Sequence, residues 1–268
     1  MLRDVTIGQY FPGGTPIHRL DPRTKLVWTV IFITALFMAR GALSYALMLC
    51  VLAGCVFASR VSARALMGSI KPMLIIICIT AILNVFFTRG EVIARLWVIS
   101  VTREGLISAA YMASRLVMLI SGTFLLTYTT SPIALTDGIE SLLGPLKKIR
   151  LPVHELAMMM SIALRFIPTL IEETDKIMSA QKARGADFET GGLIKRAKAL
   201  LPILIPLFIS AFRRADELAV AMESRCYHGG EGRTRMKKLR MTSRDCAALA
   251  LGAALPALIV VTNMLSGA

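Results

Sequence analysis

Long apolar runs with very few charged residues dominate the hydrophobic pattern of this chain. A helix needs about 20 apolar residues to cross the roughly 30 Å hydrocarbon core of a bilayer. We predict a membrane-spanning helix for each of five runs: residues 26–39, 41–59, 68–87, 106–127 and 246–265. The first run has only 14 residues, but the flanking Lys25 and Arg40 could reach opposite membrane surfaces and allow it to span.

The connection between the fourth and fifth predicted spans, residues 128–245, is neither polar enough for a flexible loop nor apolar enough for clear spans. We favour amphipathic helices that lie at the cytoplasmic face, with one apolar and one charged side. Two stretches, residues 156–171 and 199–212, leave open whether this region also enters the bilayer, because both contain proline and the second has only 14 residues.

Capping residues and prolines mark the helix ends around this connection. Asp21-Pro22 and Ser131-Pro132 each predict a helix start, because a capping side chain followed by proline suits the first turn of a helix. Three further helices are expected: a short one after residue 131, one over about residues 152–184, and one over about residues 206–226.

The composition supports a membrane protein with unevenly distributed charge. Hydrophobic residues make up 55% of the 268 residues and charged residues only 18%, yet the net charge is +14 and the mean hydropathy +0.65. Such a positive hydropathy argues against nucleic-acid binding. Of the 31 basic residues, 26 lie on the side of the N-terminus and the long connection, four lie on the other side, and Arg115 falls within a span. Because positively charged loops stay in the cytoplasm, we predict a cytoplasmic N-terminus and an external C-terminus.

The predicted fold is therefore all-α: a polytopic membrane protein with about five transmembrane helices plus long amphipathic cytoplasmic helices. We divide the chain into three parts. Residues 1–127 form an N-terminal membrane part with four spans, residues 128–245 a cytoplasmic helical region, and residues 246–268 a C-terminal span.

Motifs for catalysis and cofactor binding are missing from the sequence. It contains no phosphate-binding loop, zinc-protease motif, nucleophile elbow or dinucleotide-binding glycine motif, and its three His residues are scattered. We predict no enzyme activity, no catalytic residue, no metal site and no cofactor. The five apolar runs also contain no Asp, Glu or His, one of which a proton-coupled carrier usually keeps at mid-membrane. A self-contained carrier or channel stays open as the alternative, because backbone carbonyls can also form an ion site.

Two similar helix ends are the main candidates for a binding role. Residues 180–185 and 221–226 share the pattern Ala-x-x-small-Arg-small, 41 residues apart. In each, a long cation between small neighbours could enter a groove and bond a carboxylate or carbonyls there. The alternative is an arginine that offsets the dipole at a helix C-terminus. We predict protein docking at six residues in two groups: Ala183, Arg184 and Gly185, and Ser224, Arg225 and Cys226.

Four further residues are candidates for structural contacts or for contacts with a partner in the membrane. Arg115 is costly in lipid, so it should face protein or a polar cavity. Arg165 could pair with a neighbouring helix, or simply lie on the solvated side of an amphipathic one. Met158 and Met159 suggest an adaptable apolar contact surface, for which ordinary helix packing is the alternative.

Several segments resemble the transmembrane T component of energy-coupling factor (ECF) transporters, and the similarity covers nearly the whole chain. It is carried by residues 18–26 (HRLDPRTKL), 129–132 (TTSP), 164–168 (LRFIP), 180–187 (AQKARGAD) and 221–235 (AMESRCYHGGEGRTR). The last two are the most specific, because short x-Arg-x ends on two long coupling helices are typical of the family. The second arginine of the family commonly lies between Ala and Gly, whereas here it lies between the equally small Ser224 and Cys226.

The resemblance implies a non-catalytic subunit of an ATP-driven importer in the cell membrane. Two ABC-type ATPases would each receive one arginine-tipped coupling helix, and a membrane-embedded S component would capture a vitamin or metal ion. The chain would transmit ATP-driven motion from the ATPases to the S component. Its length and its Gly-Gly-Glu-Gly-Arg-Thr-Arg tail resemble the shared form of the T component, which serves several S components.

Overall fold

The computed structural model describes residues 10–96, 99–188, 192–229 and 239–265. These residues form two compact units. The larger unit combines residues 10–139 with residues 239–265, and the smaller unit contains residues 140–229.

Helices make up nearly all of the regular structure in the described chain. In chain order they are α1 (Pro22–Met38), α2 (Ala42–Ser59), α3 (Ala63–Ile70), α4 (Leu74–Phe87), α5 (Arg103–Thr129), α6 (Pro132–Leu142), α7 (Val153–Ala183), α8 (Leu193–Glu223) and α9 (Ser243–Leu265). Short 3₁₀ turns at Lys71–Met73 and Gly144–Ile149 join α3 to α4 and follow α6. The predicted all-α class is confirmed.

Five of the described helical segments are long and apolar enough to cross a membrane: α2, the continuous segment Ala63–Phe87, α5, α7 and α9. Four of them coincide with predicted spans. The first predicted span corresponds to α1, which has 17 residues and is about 26 Å long at 1.5 Å per residue. By length and composition α7 also qualifies, so our preference for a cytoplasmic surface position of this helix stays a prediction.

A small β-hairpin, which the sequence analysis did not predict, follows α4. Strand β1 (Val92–Leu96) pairs antiparallel with strand β2 (Ile99–Thr102), with Val92 opposite Thr102. The β-branched residues of this stretch, such as Val92, Ile93 and Ile99, are the sequence signal that could have identified it.

The two predicted helix starts are confirmed by their capping bonds. The Asp21 carboxylate accepts a hydrogen bond from the backbone N–H of Arg23 at 2.9 Å, with Pro22 at the first helical position. The Ser131 hydroxyl accepts one from the N–H of Ala134 at 3.3 Å, at the start of α6. These bonds satisfy backbone donors that a helix cannot pair internally.

Helix α1 lies in the core of the larger unit, where it packs against α5 and α9 and shares one apolar cluster with Tyr45, Met48 and Leu52 of α2. Its Trp28 and Phe32 rings stack with centroids 5.5 Å apart. Two glycines allow this approach: a Cβ on Gly122 of α5 would lie 2.8 Å from Phe32, and one on Gly252 of α9 would lie 2.9 Å from Trp28. Both helices therefore pack close to α1 only because these positions lack a side chain.

Helices α1 and α9 run in the same direction. At their N-terminal ends, the Asp245 carboxylate accepts the N–H of Asp21 at 2.8 Å. At their C-terminal ends, the Asn263 amide donates to the carbonyl of Met38 at 2.8 Å. The first and last helices of the larger unit are thus joined at both ends by polar contacts.

Candidate functional site: two arginine-tipped helix ends

The end of α7 is a complete Schellman turn that places Arg184 just before a left-handed glycine. The N–H of Gly185 donates to the Lys182 carbonyl at 3.0 Å, and that of Ala186 donates to the Gln181 carbonyl, also at 3.0 Å. Gly185 has φ = +86°, a conformation that suits a residue without a Cβ. Arg184 therefore lies at the outer end of the helix, and its flanking residues Ala183 and Gly185 are exposed with it.

The end of α8 closes with the same two hydrogen bonds. The N–H of Cys226 donates to the Glu223 carbonyl at 2.9 Å, and that of Tyr227 donates to the Met222 carbonyl at 3.1 Å. Cys226 takes the left-handed position, with φ = +56°. Arg225 thus precedes the left-handed residue just as Arg184 does. The sequence similarity of the two tips is also a similarity of backbone conformation.

All six predicted docking residues are exposed to solvent in the described structure. In both tips the arginine is flanked by small side chains, so its guanidinium can enter a partner's groove without obstruction from its neighbours. Five donors in a planar fork suit a carboxylate or a set of carbonyls. The tail motif beyond the second tip, residues 230–235, lies outside the described residues.

Helices α7 and α8 form an antiparallel pair within the smaller unit. The Glu173 carboxylate of α7 accepts hydrogen bonds from the Ser210 hydroxyl and, at 3.2 Å, from the Arg214 guanidinium of α8. Eight residues further along α7, the Gln181 amide donates to the carbonyl of Pro202 at 3.4 Å. Later positions of α7 therefore face earlier positions of α8, which requires opposite helix directions.

This antiparallel arrangement puts the two arginine tips at opposite ends of the pair. Arg184 lies eleven residues beyond Glu173, and Arg225 lies fifteen residues beyond Ser210. At 1.5 Å per residue, the tips are about 17 Å and about 22 Å from the Glu173–Ser210 contact, in opposite directions. The two cations are thus separated far enough to serve two different binding partners.

Helix α8 begins at Leu193, so the prediction that it starts near residue 206 was wrong. Pro202 and Pro206 lie inside the helix rather than before it. A proline in a helix leaves the carbonyl four residues earlier without its usual donor. For Pro206 that carbonyl belongs to Pro202, and the Gln181 amide of α7 donates to it. The sequence could not show this compensation, because its donor comes from another helix.

The other candidate residues lie in different places. Arg115 belongs to the larger unit, where its guanidinium donates to the Ala39 carbonyl at 3.1 Å and lies 5.7 Å from the ring centroids of both Phe37 and Tyr45. These contacts hold the C-terminal end of α1. In the smaller unit, Arg165 and Met159 are exposed on α7, while Met158 is half-buried.

The motif of residues 18–26 forms a connected polar cluster at the start of α1. The Lys25 ammonium donates to the carbonyls of Thr129 and His18, at 2.8 Å and 3.2 Å. His18 Nε2 donates to the Phe11 carbonyl at 3.0 Å, so Nδ1 accepts from the Thr15 hydroxyl at 2.6 Å. Burial lowers the pKa of His18; the bond to Phe11 opposes this shift and the nearby Lys25 charge adds to it.

Sequence reasoning missed the partners of this cluster and the polar contacts between α7 and α8. Asp245 is 1% exposed, and only the fold brings it to Asp21, 224 positions earlier in the chain. Glu173 lies in a charged stretch of α7 with Glu172, Asp175 and Lys176, so nothing in the sequence distinguished it from its neighbours or identified Ser210 and Arg214 as its partners. Among the described residues, no group of three or more His, Cys, Asp or Glu could hold a metal ion.

Together these features define an all-α, multi-pass membrane protein that carries two matching arginine tips on one pair of helices. Residues 13–236 match the family model described as CbiQ, cobalt transport protein. The chain is also 57% identical to the energy-coupling factor transporter transmembrane protein EcfT of Thermosediminibacter oceani, over 92% of this chain and 93% of that relative. The protein of the same name from Bacillus subtilis is 50% identical over 93% and 94%. The chain therefore belongs to the family of energy-coupling factor transporter transmembrane components.

Family membership favours the predicted T component over a self-contained carrier or channel. The matching relatives carry the name of a transporter component and align along nearly their whole length. The two most specific sequence blocks, at Arg184 and Arg225, both lie within the matched range.

Proposed function

We propose that this chain couples ATP hydrolysis by two partner ATPases to the movement of a substrate-binding S component. The observation that carries the proposal is the pair of matching tips, Arg184 and Arg225, at opposite ends of the α7–α8 pair. Two equivalent cationic ends pointing in opposite directions suit two similar partners. ATP hydrolysis belongs to those partners, since this sequence has no phosphate-binding loop.

Each tip binds one ATPase through an exposed arginine. The left-handed residue after the arginine turns the chain sharply away, so no following helical turn shields the guanidinium. A carboxylate or carbonyls in a groove of the ATPase would then receive it. We infer that Ala183, Gly185, Ser224 and Cys226 matter because they are small, and not because of their own chemistry.

The S component binds the apolar surface of the long helices. Helix α8 exposes a large set of apolar side chains in its first two-thirds, a surface that water would not favour. Seven of them are Leu200, Leu201, Leu204, Ile205, Phe208, Ile209 and Phe212, each at least 43% exposed. The exposed Met159 and Met160 of α7 add adaptable contacts. A hydrophobic partner that changes its orientation in the bilayer suits such a surface.

For the membrane topology, we propose a cytoplasmic N-terminus, an external C-terminus and a cytoplasmic position for residues 128–245. The excess of basic residues on one side supports this orientation. The parallel course of α1 and α9 is consistent with it, because both helices would then cross from the cytoplasm outward.

Motion would pass from the tips to the rest of α7 and α8 through their mutual contacts. Glu173 contacts Ser210 and Arg214, and Gln181 contacts Pro202, so the Arg184 end of α7 is tied to α8 at two levels. A displacement of one tip therefore changes the angle of both helices, and with it the surface offered to the S component.

Reversal of charge at the tips tests the proposal. Arg184→Glu or Arg225→Glu should reduce co-purification of one ATPase subunit and uptake of substrate, and the double variant should abolish both. Arg213→Glu is the matched control, because Arg213 is an exposed arginine of α8 away from either tip. Unchanged ATPase binding by the double variant would refute the docking role.

Transport by the purified chain alone would refute the coupling role itself. In proteoliposomes without ATPases and an S component, we expect no solute uptake above that of empty vesicles. Addition of all partners and ATP should restore it.

A further inference from the structure

A cavity of about 450 Å³ lies inside the larger unit, between α1, α2, α5 and α9. Its volume is within the range of about 300–1,000 Å³ typical of small-molecule sites. The walls are almost entirely apolar, with Trp28 of α1 along one side and Cys55 of α2 along another. Its polar groups, Lys25, Thr129 and neighbouring threonines, come from the N-terminal end of α1 and the C-terminal end of α5.

The cavity is elongated. Along α9 it extends from Ala248 to Leu258, which is about 15 Å at 1.5 Å per residue. A helix with its side chains is about 10–12 Å wide, whereas this apolar space between four packed helices suits a slimmer, extended occupant. The cavity therefore accepts a single extended chain, and not a helix of a partner protein.

One side of the cavity opens where membrane lipid should be. Leu251 and Leu258 of α9 line it and are 73% and 46% exposed. Helix α9 is one of the candidate membrane spans. The polar end at Lys25 directly precedes the first predicted span, so it lies at the depth of the membrane interface, where the ester groups of phospholipids are found.

Lys25 offers a hydrogen-bond donor at this polar end. Its side chain is buried, and two of its three N–H groups donate to the carbonyls of Thr129 and His18. The third N–H is available to a ligand. Two cations, Lys25 and Arg23, and two carboxylates, Asp21 and Asp245, meet here, with Arg23 3.9 Å from Asp21. The balanced charge favours a neutral acceptor such as an ester carbonyl over a free carboxylate.

We propose that this cavity binds one acyl chain of a membrane phospholipid, with the ester carbonyl of that chain accepting a hydrogen bond from Lys25. The chain lies beside the Trp28 ring and runs along α9 towards the centre of the bilayer. Such a lipid fills the space between α1 and α9 that the small side chains of Ala248 and Ala254 leave open.

Quenching of Trp28 fluorescence by brominated lipid tests this site. Trp97→Phe leaves Trp28 as the single tryptophan of the full chain. The purified protein is reconstituted in vesicles of dibrominated phosphatidylcholine mixed with unlabelled phosphatidylcholine. We expect strong quenching in this parent, and loss of most of it in Cys55→Phe, which fills the cavity. Cys50→Phe is the matched control, because Cys50 is an exposed residue of α2 that does not line the cavity, and its quenching should equal that of the parent.

Ala248→Leu fills the cavity from α9 and serves as a second variant should Cys55→Phe fail to fold. Equal quenching in the parent, the filled variants and the control would show that Trp28 meets only bulk lipid, and would overturn the proposal. Absence of quenching in the parent would show an empty cavity, with the same consequence. A separate measurement on the same parent protein adds dibrominated fatty acid to vesicles of unlabelled phosphatidylcholine. Stronger quenching by the free acid than by the phospholipid would overturn the choice of an ester.

Discussion

Substitution of the buried Asp245 by Asn tests how the first and last helices of the larger unit are held together. One carboxylate oxygen of Asp245 accepts the N–H of Asp21 at 2.8 Å. The other accepts the N–H and the hydroxyl of Thr242, at 2.8 Å and 2.6 Å. The side chain is 1% exposed, so water cannot replace these partners.

The expected cost follows from the number of acceptors. A carboxylate has two acceptor oxygens, whereas a carboxamide has one oxygen and an NH₂ group that only donates. In Asp245→Asn, the NH₂ group must therefore face either the Asp21 N–H or the Thr242 N–H, and that bond is lost. A hydrogen bond to a charged group contributes about 1.5–3 kcal/mol, and the remaining bonds lose their charge assistance. We expect the free energy of unfolding to fall by about 3 kcal/mol.

Reversible unfolding of the purified protein in mixed micelles, followed by circular dichroism, measures this change. Asp216→Asn is the control, because Asp216 is exposed on α8, and it should change the free energy of unfolding by less than about 0.5 kcal/mol. If Asp245→Asn were as stable as this control, the three hydrogen bonds would not hold the α1–α9 junction.

Three further predictions concern the tips, the helix pair and the N-terminal cluster. Cys226→Gly should stabilise the second tip by about 1 kcal/mol, because only glycine takes a left-handed conformation without cost. Hydrogen exchange at the Tyr227 amide should therefore slow, and faster exchange would contradict this prediction. Glu173→Lys and Arg214→Glu should each reduce uptake, and their combination should restore part of it. Because the two side chains are 23% and 37% exposed, the coupling in a double-mutant cycle should be about 0.5–1 kcal/mol, and strict additivity would exclude a direct pair. Since burial lowers the pKa of His18 below 6.5, the unfolded chain binds this proton more readily, so stability should fall as the pH drops below about 6.5. His18→Gln should flatten that part of a pH series of unfolding measurements.

Local signals in the sequence were sufficient for most helix ends. Asp21 and Ser131 cap helices as predicted, and helix α7 ends just before Arg184, because capping and glycine preferences depend on the few residues around them. Pro202 and Pro206 misled the prediction of α8, since their usual effect is to interrupt a helix. Here a side chain of α7, Gln181, bonds a carbonyl that Pro206 leaves unpaired.

An α-helical membrane protein with two similar arginine motifs could be recognised from the sequence, because hydropathy, charge and short motifs are properties of neighbouring residues. Three features could be seen only in the folded chain: the two arginines lie at opposite ends of one antiparallel pair, Asp245 bonds Asp21, and an apolar cavity ends at Lys25. Each of these depends on contacts between residues far apart in the chain, and such contacts arise from the packing of whole helices rather than from local preferences.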